Sequence, residues 1–231
     1  MPAPTQAPDW TRVRLHASAV SLGVELAPSA LDELVTFLDE LERWNARANL
    51  VGEHARETLL DRHVVDALAA APLLRSLGDG LRIADLGSGA GLPGIPLAIA
   101  LRPREMMLVE PRRKRASFLR AVRRRLVGVP LSVLEQRAED LAGRDRGSFD
   151  AVVSRAALTD AELHAAASFL LRPAGLVIAY RGTARTATQP ARMPAPQENV
   201  PGLGPAKVHP YALPGLPREF ALVVRERTRS T

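Results

Sequence analysis

Cysteine is absent from all 231 residues. That excludes disulfides, cysteine-ligated zinc, iron–sulfur clusters and a thiol nucleophile, and with them several nucleic-acid modification chemistries. No run of eighteen apolar residues occurs, and the first nine residues, which include Pro2, Pro4 and Pro8, hold no apolar stretch of secretory type. A cytoplasmic protein without membrane contact is expected. A P-loop is missing, because Gly91 is not followed by Lys-Ser or Lys-Thr at the required place, and no Ser-His-Asp grouping sits in a nucleophile elbow. Among the five histidines, His54 and His63 are nine apart with no acid pair to complete a ligand set, so no metal is expected. His63 with Asp66, one helical turn on, reads as a hydrogen-bonded pair or a substrate contact.

What is present is a core and a surplus of positive charge. Hydrophobic residues make up 46% of the chain, enough for one large domain or one domain with an appendage. The net charge is +6 and the 31 basic residues are nearly all arginine, a balance that favours a polyanionic partner.

The most informative stretch is Ile83 to Pro96, where Gly87, Gly89, Gly91 and Gly94 lie between two apolar runs. That is a strand, a tight turn and a helix start. Glycine permits positive φ and lets backbone N–H groups approach a ligand, and the helix N-terminus beyond adds unpaired donors. Two patterns fit these letters. Gly89 to Gly94 satisfies the dinucleotide pattern G-x-G-x-x-G, and Asp85 to Gly91 satisfies the D-x-G-x-G-x-G turn of methyltransferases that bind S-adenosylmethionine. Glu110, about twenty residues on, suits the ribose of either ligand. The register favours the second, because Asp85-Leu86-Gly87 stands where a dinucleotide fold has its first glycine. A glycine turn with no ligand is the third reading.

Along the chain, residues 1 to 10 read as a disordered tail and 11 to 27 as a first helix. From Ser29 to about Asn49, Leu31, Leu34, Val35, Leu38, Leu41 and Trp44 fall on one face at 3.6 spacing, with Asp32, Glu33, Asp39, Glu40 and Glu42 outside it. A third helix is expected over 57 to 74. From Leu81 the pattern changes to βαβ units, with strands at 81–86, 106–110, 131–135, 149–153 and 175–180 and helices at 94–101, 112–127, 138–142 and 159–171. Residues 183–205 are a Pro-rich loop, and the runs 207–213 and 219–226 suggest a hairpin. The expected division is a helical region over 11–78 packed on an α/β domain over 79–231.

Three further places lie near the carboxyl edge of the sheet, where ligands of open α/β folds bind. The helix at 112–127 carries no acid; Arg112, Arg113, Arg120, Arg123 and Arg124 gather opposite its apolar stripe, which phosphate contact explains better than a solvated face. After the third strand come Ala138 and Glu139, where a backbone N–H can read an adenine edge or the acids can simply start a helix. After the fourth come Ser154-Arg155-Ala156, where an arginine fork can orient a carboxylate, phosphate or base, or tie two loops together.

Taken together these letters resemble the RsmG or GidB family of small-subunit ribosomal RNA guanine-N7 methyltransferases. The resemblance runs from about Leu41 to Gly182. It is carried by Arg43-Trp44-Asn45 with Asn49-Leu50, by Arg62-His63-Val64-Val65-Asp66, by Asp85 to Leu97 with its Leu92-Pro93-Gly94 tail, by Lys114 to Leu119, and by Ser154-Arg155-Ala156. It implies a Rossmann-like methyltransferase fold with a seven-stranded, mostly parallel sheet, a C-terminal antiparallel hairpin and an N-terminal helical extension. It implies S-adenosylmethionine as cofactor, contacted through Gly87, Ser88, Gly89, Gly91, Leu92, Ala138, Glu139 and Arg155, with Glu110 on the ribose. The expected partner is small-subunit ribosomal RNA or a ribosomal particle, met by a monomer through Asn49, Arg62, His63, Asp66, Arg112, Arg113, Arg123, Arg124, Arg155 and Arg181. The chain departs from the family's usual letters at Val51, Ala67, Glu110 and Arg181, and three of these are on the presumed substrate side. No residue is assigned as catalytic, since guanine N7 is a lone-pair nucleophile bearing no proton and needs no general base. The alternatives are methylation of a small molecule or protein, and a non-catalytic RNA-binding assembly factor.

Overall fold

A computed structural model describes residues 9–143, 145–182, 199–216 and 220–228. Seven strands form one sheet: β1 Arg82–Leu86, β2 Glu105–Val109, β3 Leu131–Leu134, β4 Phe149–Arg155, β5 Leu171–Gly182, β6 Lys207–Tyr211 and β7 Phe220–Glu226. Their order is β3-β2-β1-β4-β5-β7-β6, with β1 to β5 parallel and β7 antiparallel to both of its neighbours. The mostly parallel sheet with a C-terminal antiparallel hairpin is the expected one. Both faces are covered, which is why β1 and β2 are buried almost throughout rather than alternately.

One face carries the helices α1 Trp10–Ser21, α2 Pro28–Ala48, α3 Arg56–Leu59, α4 Ala71–Arg75, α5 Gly94–Leu101 and α6 Arg113–Arg125, which share a single core with the sheet. The other carries α7 Asp160–Leu170 and a 3₁₀ turn, Ala138–Gly143. Helix α2 starts on Pro28, where a missing N–H costs nothing, and ends on Asn49 in the left-handed region. Its Leu34, Phe37, Leu38 and Leu41 are fully buried, each worth ~1.5–3 kcal/mol.

The structure departs from the periodicity in several places. The first helix stops at Ser21 rather than 27, capped before Gly23, which has φ 71°. Glu40, expected on the polar face of α2, is buried and bonded to Arg125 at 3.1 Å and to Arg43. The third helix is not continuous. An α turn at Arg56–Leu59 gives way to a π-helical turn, Leu60–Val65, then a 3₁₀ turn, Leu68–Ala70, before α4 with Pro72 in its first turn. Such widened turns are frequent at functional sites; this one carries Arg62, His63 and the approach to Asp66. Strand β5 begins directly at the end of α7, where Ala174 at φ 64° and a register shift against β4 absorb the corner.

Of the tail expected over 1–10, Asp9 caps α1 by accepting from the Thr11 N–H, Trp10 begins that helix, and residues 1–8 lie outside the described residues. Most of the expected 183–205 loop, residues 183–198, also lies outside them, as do 217–219 in the hairpin connection. Val200 and Leu203 form a small antiparallel bridge.

Candidate functional site

The carboxyl ends of β1, β2, β4 and β5 open into two adjoining clefts that share Gly87, Arg115, Ala156 and Ala157. The first, about 410 Å³, runs from the glycine turn to the N-terminal helices and the C-terminal hairpin. The second, about 690 Å³, lies over β2, β3 and β4 and is lined by Glu110, Arg112, Arg137, Ala138, Glu139 and Glu162 among others.

The turn between them is built by the backbone. Gly87 and Ser88 donate their N–H groups to the Val109 carbonyl at 2.9 and 3.0 Å, which lashes the turn to β2. Gly87, Gly89 and Gly91 all have positive φ, at 72°, 56° and 76°. Their neighbours give them different reasons to be glycine. A Cβ on Gly87 would stand 2.2 Å from the Ala157 side chain at the junction of the clefts, whereas one on Gly91 would meet Ile95 and Leu119 in the core. Gly91, expected at the ligand, faces the packing instead. The α5 N-terminus, expected to offer open donors, is occupied: Gly94 N–H donates to Asp85 Oδ2 at 3.0 Å.

Asp85 is fully buried, and its other oxygen, Oδ1, has no hydrogen-bond partner among the described residues. Loss of solvation pushes its carboxyl up to about 7, with the Gly94 bond pulling the other way. The folded chain therefore holds this proton more tightly than the unfolded chain, whose carboxyl titrates near 3.8. Stability falls as pH rises from about 4 to about 7, by roughly 4 kcal/mol from this group. Asp85→Asn should accordingly stabilise the protein at pH 8 and change little at pH 4. Urea unfolding of both chains at the two pH values measures it; the same difference at each would rule out a protonated Asp85.

Glu110 is buried at the head of the second cleft, where Oε2 accepts from Gly89 N–H and Oε1 from Arg112 N–H, each at 2.9 Å. It braces the turn from across the cleft. Ser88 Oγ turns inward to the Asp85 carbonyl at 2.8 Å. Ala156, just past β4, holds φ 52°, a strained value for a residue with a side chain and one that recurs at ligand sites.

The far wall of the first cleft is a connected polar chain. Arg155 donates to Asp66 Oδ2 at 2.9 Å and lies 3.2 Å from His63 Nδ1. His63 Nε2 is 3.0 Å from Glu53 Oε2, and Arg62 bridges to the same carboxylate at 2.7 Å. Tyr211 donates to Asp66 Oδ1 at 2.6 Å. Burial, reinforced by the Arg155 charge, lowers the His63 pKa, so the ring is neutral, accepting from Arg155 on Nδ1 and donating to Glu53 on Nε2. Burial works to raise the Glu53 carboxyl, but His63 and Arg62 outweigh it and hold it low.

Gly87, Ser88, Gly89, Leu92, Arg62, His63, Asp66, Arg155 and Arg181 thus converge on the first cleft, and Glu110, Arg112, Ala138 and Glu139 on the second. Asn49 caps α2 beside the first cleft, and Leu50 and Val51 form the lining there. The basic residues of α6 do not share one face. Arg120 pairs with Glu135, while Arg123 opens to the amino edge of the sheet beside Arg104. Arg124 joins Lys114, Arg125, Arg43, Arg47 and Trp44 around a groove of about 460 Å³ between α2 and α6. Sequence reasoning missed Glu53, Tyr180, Tyr211 and Phe220 in the first cleft. Among the described residues no acid and histidine cluster suits a metal, and no helix is long and apolar enough to cross a membrane.

A family model described as "GidB: rRNA small subunit methyltransferase G" matches residues 30–196. A protein of Aromatoleum aromaticum named ribosomal RNA small subunit methyltransferase G is 33% identical over 92% of this chain and 97% of its own length. One of the same name from Sorangium cellulosum is 40% identical over 78% of this chain and 74% of its own length. Among solved structures, the putative methyltransferase yhhF of Escherichia coli superposes with a TM-score of 0.51 at 12% identity, covering 71% of this chain and 87% of that one. TrmN of Thermus thermophilus gives 0.50 at 20% identity, covering 73% and 53%; at these identities the likeness speaks to fold alone.

Proposed function

The chain belongs to the GidB family, rRNA small subunit methyltransferase G, and from that premise we propose that it methylates N7 of a guanine in small-subunit ribosomal RNA with S-adenosylmethionine. The observation that carries the reading is the pair of clefts joined at Gly87, the first lined by the glycine turn and by elements from the helical region and the C-terminal hairpin, the second by Glu110, Ala138 and Glu139. The glycine turn fits the cofactor because no Cβ intrudes at Gly87, where one would fill the junction. Gly87, Gly89 and Leu92 would hold the amino-acid end, Glu110 the ribose, and Ala138 and Glu139 the base. When bound, S-adenosylmethionine supplies an electrophilic methyl group on a sulfonium.

The chain's own contribution is orientation and electrostatics. Holding nucleophile and electrophile in line can supply ~7–11 kcal/mol. Asp66 and Glu53, paired with Arg155 and Arg62, set carboxylate oxygens in the wall of the cleft where the purine becomes cationic. Arg155, clamped by Asp66 and His63, is fixed in place by the helical region, so cofactor side and target side are set by one residue. The helices of 11–78 serve as the target-side wall of the domain over 79–231, and the reaction is placed in the cytoplasm.

The groove between α2 and α6 is the RNA track. Among the described residues Arg47, Lys114 and Arg124 have no acidic partner there, and Lys114 adjoins Arg115 of both clefts. Mapping N7-methylguanosine in small-subunit rRNA from cells with and without the protein tests the function; an unchanged map would refute it. With purified protein, Arg47→Ala plus Arg124→Ala should weaken RNA binding and flatten its dependence on log salt by about 2, leaving cofactor affinity intact. An unaltered slope would remove the groove from the RNA path.

A further inference from the structure

Both tyrosines of the chain and one of its five phenylalanines line the first cleft. Tyr180 is buried, its hydroxyl on the Ala67 carbonyl at 2.7 Å. Tyr211, at the end of β6, and Phe220, at the start of β7, are different. Both are only half-buried, and they stack with centroids 5.6 Å apart and planes inclined by 26°. Gly182 lies against Phe220, where a Cβ would come within 3.6 Å of the ring. Two stacked rings at the wall of a polar cleft form the kind of surface on which a nucleobase stacks, since every base offers a π-face.

The Tyr211 hydroxyl adds a second feature. It donates to Asp66 at 2.6 Å, and Asp66 is held by Arg155 on its other oxygen. A short hydrogen bond to a carboxylate shifts electron density into the phenol ring, and an electron-rich ring face attracts a cation more than a neutral base. The target changes in that sense during the reaction. The N7 lone pair forms a bond to the methyl carbon, the carbon–sulfur bond breaks with its electrons going to sulfur, and the positive charge passes from sulfur to the purine with no proton moved.

Resting on the proposed guanine methylation, we propose that Tyr211 and Phe220 are the seat of the target guanine, and that the tyrosine ring, polarised through Asp66, binds the purine more tightly as it becomes cationic. An interaction that strengthens toward the transition state raises kcat rather than only lowering KM. The helical region supplies the carboxylate, the C-terminal hairpin the rings.

The test uses the full chain, small-subunit particles and methyl-labelled S-adenosylmethionine. Phe220→Leu should lower kcat/KM by ~10–100-fold, and Phe220→Tyr should restore it to within a few-fold. Tyr211→Phe keeps the ring but should lower kcat more than it raises KM for RNA. Inhibition by 7-methyl-GMP against GMP reads the charge preference. The wild type should favour the methylated nucleotide, and Tyr211→Phe should lose most of that preference, a change that a merely structural role would not produce. If Phe220→Leu fails to bind cofactor and so has not folded, Phe220→Tyr and Tyr211→Phe still decide through the nucleotide preference. A leucine variant as active as wild type, or a preference unchanged in Tyr211→Phe, overturns the seat while leaving the function standing. A wild-type protein that labels no guanine N7 overturns both.

Discussion

Gly87→Ala should lose S-adenosylmethionine affinity by at least about a hundredfold while the protein still folds. Two costs meet at this position. Its φ of 72° lies where an L-residue is strained, a penalty of roughly 1–2 kcal/mol. In addition, the new Cβ would lie 2.2 Å from the Ala157 side chain, closer than any real contact, so the exposed loop at Ala156 and Ala157 must retreat. That loop lines both clefts, so its retreat reshapes the cofactor side without opening the core. Gly128→Ala is the control, because φ there is 89° but nothing lies within 4 Å of the added atom. It should lose stability by about 1 kcal/mol and bind cofactor normally. Titration calorimetry on both variants separates backbone strain from intrusion; wild-type affinity in Gly87→Ala would remove the turn from the cofactor site.

Asp66→Ala should be the most damaging single truncation on the target side. Asp66 is 5% exposed and holds both the Arg155 guanidinium and the Tyr211 hydroxyl. Removing it leaves a half-buried guanidinium and a half-buried hydroxyl without their acceptor, a loss of about 3 kcal/mol. At this chain length that corresponds to a melting temperature lower by roughly 10 °C. Methyl transfer should fall by more than about a hundredfold at temperatures where the variant is folded, because Arg155 loses its fixed position. Differential scanning calorimetry and single-turnover methylation measure the two effects. A variant that melts with the wild type would show that Asp66 anchors neither partner.

The strands were legible because buried parallel strands give short apolar runs at regular intervals, and Ile83 to Leu86 and Met106 to Val109 stand where those runs fall. The glycine turn was legible for the same local reason, since positive φ demands glycine at the position itself. What the letters hid is non-local. Residues 57–74 have the apolar spacing of a helix, and Leu59, Leu60, Val64 and Leu68 are all buried, yet the turn widens and tightens along the segment. Periodicity reports which side faces inward, not the hydrogen-bond ladder beneath. The charge pattern of α6 showed which residues face out; it could not show that Glu135 and Glu40 would neutralise Arg120 and Arg125. Tyr211 and Phe220 carried no local signal, because Tyr211 takes its meaning from Asp66 across 145 positions of sequence and Phe220 takes its own from stacking on Tyr211.

That last separation bears on how the protein is made. The glycine turn, Glu110 and Arg155 all precede the hairpin along the chain, so Tyr211 and Phe220 leave the ribosome after them. A nascent chain not yet extended to β6 thus carries the residues of the cofactor side and the polar chain of the far wall, and lacks Tyr211 and Phe220. Between β5 and β6, synthesis passes through a stage that has the glycine turn and lacks the two stacked rings, so the first cleft is complete only when β7 and β6 join the sheet.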